Sequence, residues 1–251
     1  MGGPYVDHKP YNTFAEWCDN RFKKSFYSFA DDVYLSNNVS FTKTKLLKKF
    51  SGQKILIIGG GPSTLKFNLE QTQEYDSCWS MNQFYKNEKL SKIHLDLIAL
   101  SPEVSLDSTG LNNYIKEHRP IIGFEPRHRW TIPFHKFTCN SFAQGKDCFA
   151  FMTFFGGKIG VASRMINLAA EVGAESVSFI GLDGIPKIFD KIHAFEKGKV
   201  TLPAGVNKAN AHKICKSHYD LFWNKMKKDY PNTNFISLQG KNEFHDPHLK
   251  Q

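Results

Sequence analysis

The sequence lacks paired cysteines and long apolar runs. Its five cysteines are scattered, odd in number and form no C-x-x-C pair, which argues against a disulfide framework and a structural zinc site. No apolar run approaches the roughly eighteen residues that a membrane span needs, and the N-terminus shows no apolar signal segment. We therefore expect reduced thiols in a cytoplasmic protein without a transmembrane segment.

Acidic residues are in the minority, with 24 Asp and Glu against 33 Lys and Arg, and the net charge is +9. Such a charge favours anionic partners, which include nucleotides, nucleic acids and phosphorylated glycans. The segment 125–137, EPRHRWTIPFHKF, interleaves aromatic and basic residues and would suit a polyanion. An ordinary aromatic-rich loop over the core is the alternative interpretation of this segment.

From residue 54 onward, short apolar segments alternate with helical patterns. Strands are predicted over 54–58, 77–81, 94–100, 120–124, 175–184 and 233–238, and helices over 64–71, 109–118, 160–173 and 212–230. This alternation predicts an α/β fold, with a Rossmann-like, mostly parallel sheet and helices on both faces. Residues 1–50 are predicted to form a partly helical extension, and 51–251 the main domain.

The stretch KILIIGGGPSTLKF, residues 54–67, joins a buried strand to a glycine-rich turn. Glycines 59–61 would let backbone amides approach a ligand closely, and Ser63 or Thr64 would cap a following helix. A helix N-terminus after such a turn favours phosphate. The pattern is neither the dinucleotide fingerprint G-x-G-x-x-G nor a P-loop. It predicts a nucleotide site, and a turn that serves strand-to-helix geometry alone is the alternative.

Other polar residues stand at predicted strand ends and at a helix start. Asn82 and Gln83 follow the second strand, where the ligand crevice of a parallel sheet lies, and their amides would read a base or ribose. Asp183 closes another strand in the same way. Lys158 and Gly160 precede the helix at 161, so they would add a point charge and amide donors for a phosphate.

These segments together resemble one family. IIGGGPS, then NQFY nineteen residues after Ser63, then GVASRMINLAAEVGAESVSFIGLD are similar to bacterial sialyltransferases that modify lipooligosaccharide. They are also similar to the related MptE-like superfamily, which includes flagellin glycosyltransferases and an archaeal pterin diphosphokinase. The resemblance covers roughly residues 54–240. It implies that 51–251 is a Rossmann-like catalytic domain that binds a nucleotide sugar.

The resemblance implies a glycosyltransferase that moves a sugar from a nucleotide-sugar donor to an acceptor hydroxyl. It places the nucleotide against Gly59, Gly61, Pro62, Ser63, Asn82, Gln83 and Ser101, and the glycine turn and the start of the helix at 161 add Gly60 and Gly160 as candidates. The catalytic candidates are Lys158, Asp183, His193, His212 and His218. A histidine suits the role of general base because its proton affinity lies near working pH, and His212 is favoured because it starts a helix.

The expected mechanism is independent of metal, since no D-x-D carboxylate pair follows a strand. No cofactor is expected beyond the donor. The expected acceptor is anionic, either a phosphorylated glycan or DNA that carries a hydroxymethylated base.

Departures from the family pattern keep alternatives open. The family's asparagine inside the glycine turn is Gly60 here, and two tyrosines that hold the donor phosphate are not retained. His193 stands near the second of these positions, and CMP-, UDP- and GDP-linked donors all stay open. One alternative is a pterin diphosphokinase that uses ATP and magnesium, with Asp183, Asp190 and Glu196 as the carboxylates. The other is a non-catalytic module that binds a nucleotide or nucleic acid.

Overall fold

Strands and helices alternate along the chain. The computed structural model describes residues 43–101, 104–124, 142, 145–151, 159–185, 193–196, 208–240, 242–245 and 249. The strands are β1 (Lys54–Ile58), β2 (Ser77–Met81), β3 (Leu97–Leu100), β4 (Ile121–Phe124), β5 (Cys148–Ala150), β6 (Ser176–Ile180) and β7 (Asn234–Ser237). The helices are α1 (Lys43–Phe50), α2 (Thr109–His118), α3 (Gly160–Glu171) and α4 (Lys208–Asp229).

All seven described strands form one parallel sheet in the order β5-β4-β3-β2-β1-β6-β7. The chain first builds outward from β1 to β5, then crosses back and adds β6 and β7 on the other side. The order of strands therefore reverses between β1 and β6, and such a reversal leaves a crevice outside the carboxyl ends of the strands. The predicted α/β, Rossmann-like fold is confirmed.

The strands form where short apolar runs are buried on both faces, as parallel sheets require. In β1 the four residues after Lys54 are all buried, and Ile55 pairs with Ser77 on one side and Val177 on the other. Every residue of β2 and β6 is buried as well.

Helix α3 lies deep in the protein, and its side chains from Val161 to Ala170 are all buried. Two of its polar side chains are satisfied by nearby groups, and one of them, the Ser163 hydroxyl, donates to the Ile159 carbonyl at 2.9 Å. The Asn167 amide donates to the Tyr230 hydroxyl, just beyond α4, at 3.2 Å. Helices α3 and α4 therefore share one face of the sheet, and right-handed crossovers place α2 on the opposite face.

The helix predicted over 64–71 is wrong. The chain instead forms two short 3₁₀ helices, Pro62–Lys66 and Leu69–Glu74, separated by the extended residues Phe67 and Asn68. The Asn68 side chain accepts from the Glu70 amide at 3.1 Å, so it starts the second turn instead of continuing the first. No α-helix N-terminus therefore follows the glycine turn. The strand at 77–81 and the helix at 109–118 are confirmed at both ends.

The predicted N-terminal extension lies outside the described residues except for α1. Within the described parts of the chain, no helix combines the length and apolarity that crossing a membrane requires. The three described cysteines, Cys78, Cys148 and Cys215, are buried thiols.

Because the backbone of Gly181 lies in close contact with that of Gly59, we expect substitution of Gly181 to destabilise the protein. A Cβ there would collide with the Gly59 carbonyl and with Thr64 Oγ1, at a positive φ of 78°. Gly52 is a matched control, since its φ is 74° and nothing lies within 4 Å of an added Cβ. Both alanine variants should lose about 1–2 kcal/mol to backbone strain. Gly181→Ala should lose about 1–3 kcal/mol more through overpacking.

Urea unfolding of the two variants measures this difference. Equal losses for Gly181→Ala and Gly52→Ala would show that the backbone contact between β1 and β6 relaxes without cost.

Candidate ligand site at the β1–β6 switch point

The glycine turn after β1 is bonded to the end of β6. The Gly59 amide donates to the Ile180 carbonyl at 2.8 Å, and the Gly61 amide donates to the Gly181 carbonyl at 3.0 Å. The Gly60 amide has no hydrogen-bond partner within the part of the chain that the structure describes. Of the three amides predicted to hold a phosphate, two are therefore already used inside the protein.

Ser63 and Asp183 bond across the switch point. Asp183 Oδ2 accepts from the Ser63 amide at 3.1 Å and from the Ser63 hydroxyl at 2.9 Å. The Ser63 hydroxyl in turn accepts from the Gly181 amide at 3.0 Å. An added Cβ on Gly61 would collide with Asp183 Oδ2, so the carboxyl group lies directly against the turn. Asp183 and Ser63, both predicted site residues, are thus brought together, and they bond to each other.

Burial raises the pKa of Asp183 above its ordinary value of 3.8. The hydrogen bonds from Ser63 and the charge of Lys66 oppose this shift, but loss of solvent outweighs them. A partly buried carboxyl with a raised pKa at the mouth of a crevice is a common feature of functional sites.

Asn82 connects the ends of β2 and β3. Its amide donates to the Ala99 carbonyl at 2.8 Å, and its side-chain oxygen accepts from the Ser101 amide at 2.9 Å. The φ of Asn82 is 52°, a left-handed value that asparagine tolerates better than most residues. Gln83 follows on the same edge, half-buried, and its carbonyl accepts from Lys86. The three predicted residues therefore lie beside the switch point, and the oxygen of Asn82 fixes the backbone of Ser101.

The segment 193–196 docks onto the glycine turn. The Ala194 amide donates to the Gly60 carbonyl at 2.8 Å, and the Asn87 side chain donates to the Ala194 carbonyl at 3.0 Å. Glu196 forms an ion pair with Lys86. His193 is thereby held against Gly60, where an added Cβ would come 2.5 Å from Cε1 and 2.7 Å from Nε2 of its ring.

The other two candidate histidines lie on α4. His212 Nε2 is 2.8 Å from Glu243 Oε1, and its ring packs edge-on against Phe244 at 5.1 Å. Phe244 in turn lies against Gly184, next to Asp183. The turn 242–245 therefore links His212 to the carboxyl end of β6, whereas His218 is buried.

Among the remaining predicted site residues, two are exposed at the starts of helices, and the others lie outside the residues that the structure describes. Gly160 is an exposed residue with a φ of 82° at the start of α3. Pro62 is exposed at the start of the first 3₁₀ helix. Lys158, Asp190 and the segment 125–137 lie outside the described residues.

Sequence reasoning missed the polar residues after β7. Gln239 accepts from the Leu182 amide at 2.9 Å and lies 3.3 Å from the Ser63 hydroxyl. His245 lies 3.0 Å from both the Leu182 carbonyl and the Ser237 hydroxyl, and burial lowers its pKa. The sequence SLQGKNEFH follows the last strand, so the strand-end rule that selected Asn82 would have found these residues too.

The two described carboxylates of the three named for a magnesium-dependent kinase are separately engaged. Asp183 bonds to Ser63, and Glu196 pairs with Lys86. Among the described residues, no group of three or more His, Cys, Asp or Glu side chains is arranged to hold a metal ion.

Comparison with known proteins shows a likeness of fold. No protein-family model matches the chain, and no curated protein matches it. Among solved structures, the chain is similar to the sialyltransferase CstII from Campylobacter jejuni, determined in complex with the substrate analogue CMP-3FNeuAc. The TM-score is 0.52 at 13% identity, over 79% of this chain and 87% of that one. The sialyltransferase-like fold predicted from the sequence is confirmed, while nothing shows the MptE-like resemblance.

The partly buried Asp183 carboxyl predicts a pH-dependent stability. Because its pKa is higher in the folded than in the unfolded protein, the folded state binds the proton more tightly. Its contribution is therefore most favourable at low pH and is lost as pH rises through the folded pKa. Asp183→Asn keeps an acceptor for Ser63 but removes the partly buried carboxylate charge. The difference in stability between this variant and wild type should therefore shift in favour of the variant as the pH rises from 4 to 7.

Thermal melts across that range test the expectation, with Asp107→Asn as a control at an exposed carboxylate. A stability difference between Asp183→Asn and wild type that does not change with pH would contradict it.

Proposed function

We propose that this protein is a glycosyltransferase that uses a nucleotide sugar as donor. The observation that carries the proposal is the placement of His193 against Gly60 and of Asp183 against Gly61, at the switch point of a fold shared with a sialyltransferase. That neighbour was determined with a CMP-linked sugar analogue, and ligands of parallel α/β sheets bind at such switch points.

The donor would lie along the carboxyl edge of β1, β2 and β3. Asn82 uses its oxygen to bind the Ser101 amide, which leaves its NH₂ group for the ribose or base. Gln83 lies next to it and carries both a donor and an acceptor. The phosphate end of the donor would then lie toward Gly60, whose amide is not used by the described part of the protein.

The chemistry requires one proton to leave the acceptor and one bond to break in the donor. The acceptor oxygen bonds to the anomeric carbon, and the bond from that carbon to the phosphate oxygen breaks. The electron pair leaves with the nucleotide, and the acceptor proton passes to a general base.

His212 is the proposed base. Because an ionised carboxylate can only accept, Glu243 holds the proton of a neutral His212 on Nε2 and leaves a lone pair on Nδ1. The same carboxylate stabilises the imidazolium that forms when Nδ1 takes the acceptor proton. A carboxylate that orients a histidine and stabilises its charged form is the arrangement found in many hydrolytic triads.

The donor class is tested by a thermal-shift screen against CMP-, UDP- and GDP-sugars, ATP and NAD, with and without magnesium. We expect a nucleotide sugar to raise the melting temperature without magnesium, and Asn82→Ala to reduce that shift. Stabilisation by NAD alone would overturn the proposal, and magnesium-dependent release of AMP from ATP would favour the diphosphokinase. Positive donors are then assayed with a phosphorylated glycan and with hydroxymethylated DNA as acceptors.

Removal of the proposed base should separate transfer from donor binding. His212→Asn should lower kcat for transfer by about 10²–10⁴-fold, the usual contribution of general base catalysis, with donor affinity unchanged. Lys213→Ala, at the exposed neighbouring position, is the matched control and should leave both quantities near wild type. Full transfer activity in His212→Asn would exclude this residue as the base.

A further inference from the structure

The turn 242–245 has no helical or strand structure, yet it is bonded to the end of a strand and to a helix. The Asn242 side chain donates to the Asp183 carbonyl, just beyond β6, at 3.3 Å. Trp223 Nε1 of α4 donates to the Phe244 carbonyl at 2.9 Å. The turn is therefore anchored at two points, one on each side of the residue between them.

The side chain of Asn242 also shapes the turn from within. Its oxygen accepts from the Phe244 amide at 2.9 Å, and its backbone carbonyl accepts from the His245 amide at 3.0 Å. Asparagine favours such turns because its side chain bonds to the backbone two residues on. Since a backbone amide only donates and a carbonyl only accepts, both halves of the side-chain amide are required. The oxygen shapes the turn, and the NH₂ group ties it to the end of β6.

The residue held between these anchors is Glu243, the partner of the proposed base. The Glu243 side chain is 49% exposed and that of His212 is 22% exposed, and the two bond at 2.8 Å. Exposed ion pairs contribute little by themselves, because water competes for both partners and long side chains lose entropy when they pair. The geometry of this pair therefore depends on how firmly the backbone at 243 is placed.

Phe244 packs the turn against the same histidine. Its ring lies edge-on to the rings of His212 at 5.1 Å and Tyr219 at 5.6 Å. The same ring lies directly against Gly184, where an added Cβ would collide with it. The end of β6, the turn and the N-terminal half of α4 are thus packed together.

We infer that Asn242 is a positioning residue for sugar transfer, which ties Glu243 to the end of β6 and thereby holds His212 in place relative to a donor bound at the switch point. This inference rests on the proposed function. The acceptor proton goes to Nδ1 of His212 and none passes through Asn242, which acts only on where that nitrogen lies. Misplacement of a reacting group by about 1 Å costs up to about 10²-fold in rate.

Two substitutions remove the bonds of Asn242 to different extents. Asn242→Ala removes both the bond to the Phe244 amide and the bond to Asp183. Asn242→Ser retains an oxygen that accepts from the amide two residues on but is too short to reach Asp183. Asn232→Ala is the matched control, since Asn232 is an exposed asparagine in the turn between α4 and β7, at the opposite edge of the sheet. Circular dichroism and melting temperature establish that all three variants fold.

The first readout separates kcat for transfer from donor affinity. Asn242→Ala and Asn242→Ser should lower kcat by about 10–10²-fold, with donor affinity near wild type, because Asn242 bonds to protein groups. Asn232→Ala should leave both quantities unchanged. Wild-type transfer by Asn242→Ser, or a loss of donor affinity that accounts for the whole effect, would overturn the inference.

A double-mutant cycle with Glu243→Ala shows whether Asn242 acts through that carboxylate. If it does, Asn242→Ser costs nothing further once Glu243 is gone, so the double variant should transfer sugar as fast as Glu243→Ala alone. Losses that multiply would mean that Asn242 supports the fold in general, and the inference would be wrong.

Proton exchange at His212 gives a readout that needs no activity. The Nε2 proton bonded to Glu243 should exchange slowly with water in wild type and in Asn232→Ala. In Asn242→Ser it should exchange roughly tenfold faster, the effect of weakening one ordinary hydrogen bond, as NMR measures. Equal exchange rates in the three proteins would show that Asn242 does not hold the pair.

The outcomes distinguish this inference from the proposed function. If the wild-type protein transfers sugar from no nucleotide donor, the proposed function and the role of Asn242 in transfer are both overturned, and the exchange rates alone decide whether Asn242 holds the pair. If wild type is active and the kinetics, the cycle or the exchange rates fail, only the role of Asn242 is overturned.

Discussion

The close approach of the β1 and β6 backbones is the constraint on which the site depends. Because Gly59 and Gly181 have no side chains, the segments that follow β1 and β6 remain hydrogen-bonded to each other beyond the ends of the strands. This pairing uses the amides of Gly59 and Gly61 and brings Asp183 against Ser63. Two of the three glycines therefore serve packing, which is a structural role, and among the described residues the Gly60 amide alone of the three has no protein partner. The structural interpretation of the turn thus holds for Gly59 and Gly61, and its role as a nucleotide site stays a prediction.

The fold was largely predictable because most strands contain a short, mainly apolar segment with polar residues or glycine near its ends. The failure at 64–71 has a local cause. Leu65 and Leu69 lie four residues apart, a spacing typical of a helix, but Pro62 starts a tight turn and Asn68 caps a new one. The three-residue strand β5 was not separable from the aromatic-rich segment around it, because three residues are too few to show a period.

The sequence predicted which residues meet in the candidate site better than it predicted the hydrogen bonds between them. Strand ends in a parallel sheet share one edge, and that rule alone selected Asn82 and Asp183. Which amides remain for a ligand depends on the register between β1 and β6, and the bond from Ser63 to Asp183 spans 120 residues of sequence. No local pattern contains that information. The polar residues after β7 followed the same strand-end rule and needed only its consistent application.

Three histidines near the carboxyl edge differ by which ring nitrogen the protein uses. In His245 both nitrogens lie within 3.0 Å of protein oxygens, at Ser237 and Leu182, so this buried ring is structural. In His193 the protein uses the lone pair of Nδ1, whereas in His212 it uses the N–H of Nε2 and leaves the lone pair. A general base needs an unused lone pair to take the proton of the nucleophile, and the proposed base His212 has one on Nδ1. The backbone amides at 195 and 196 and the carboxylate of Glu243 thus bind opposite ring nitrogens of chemically identical side chains.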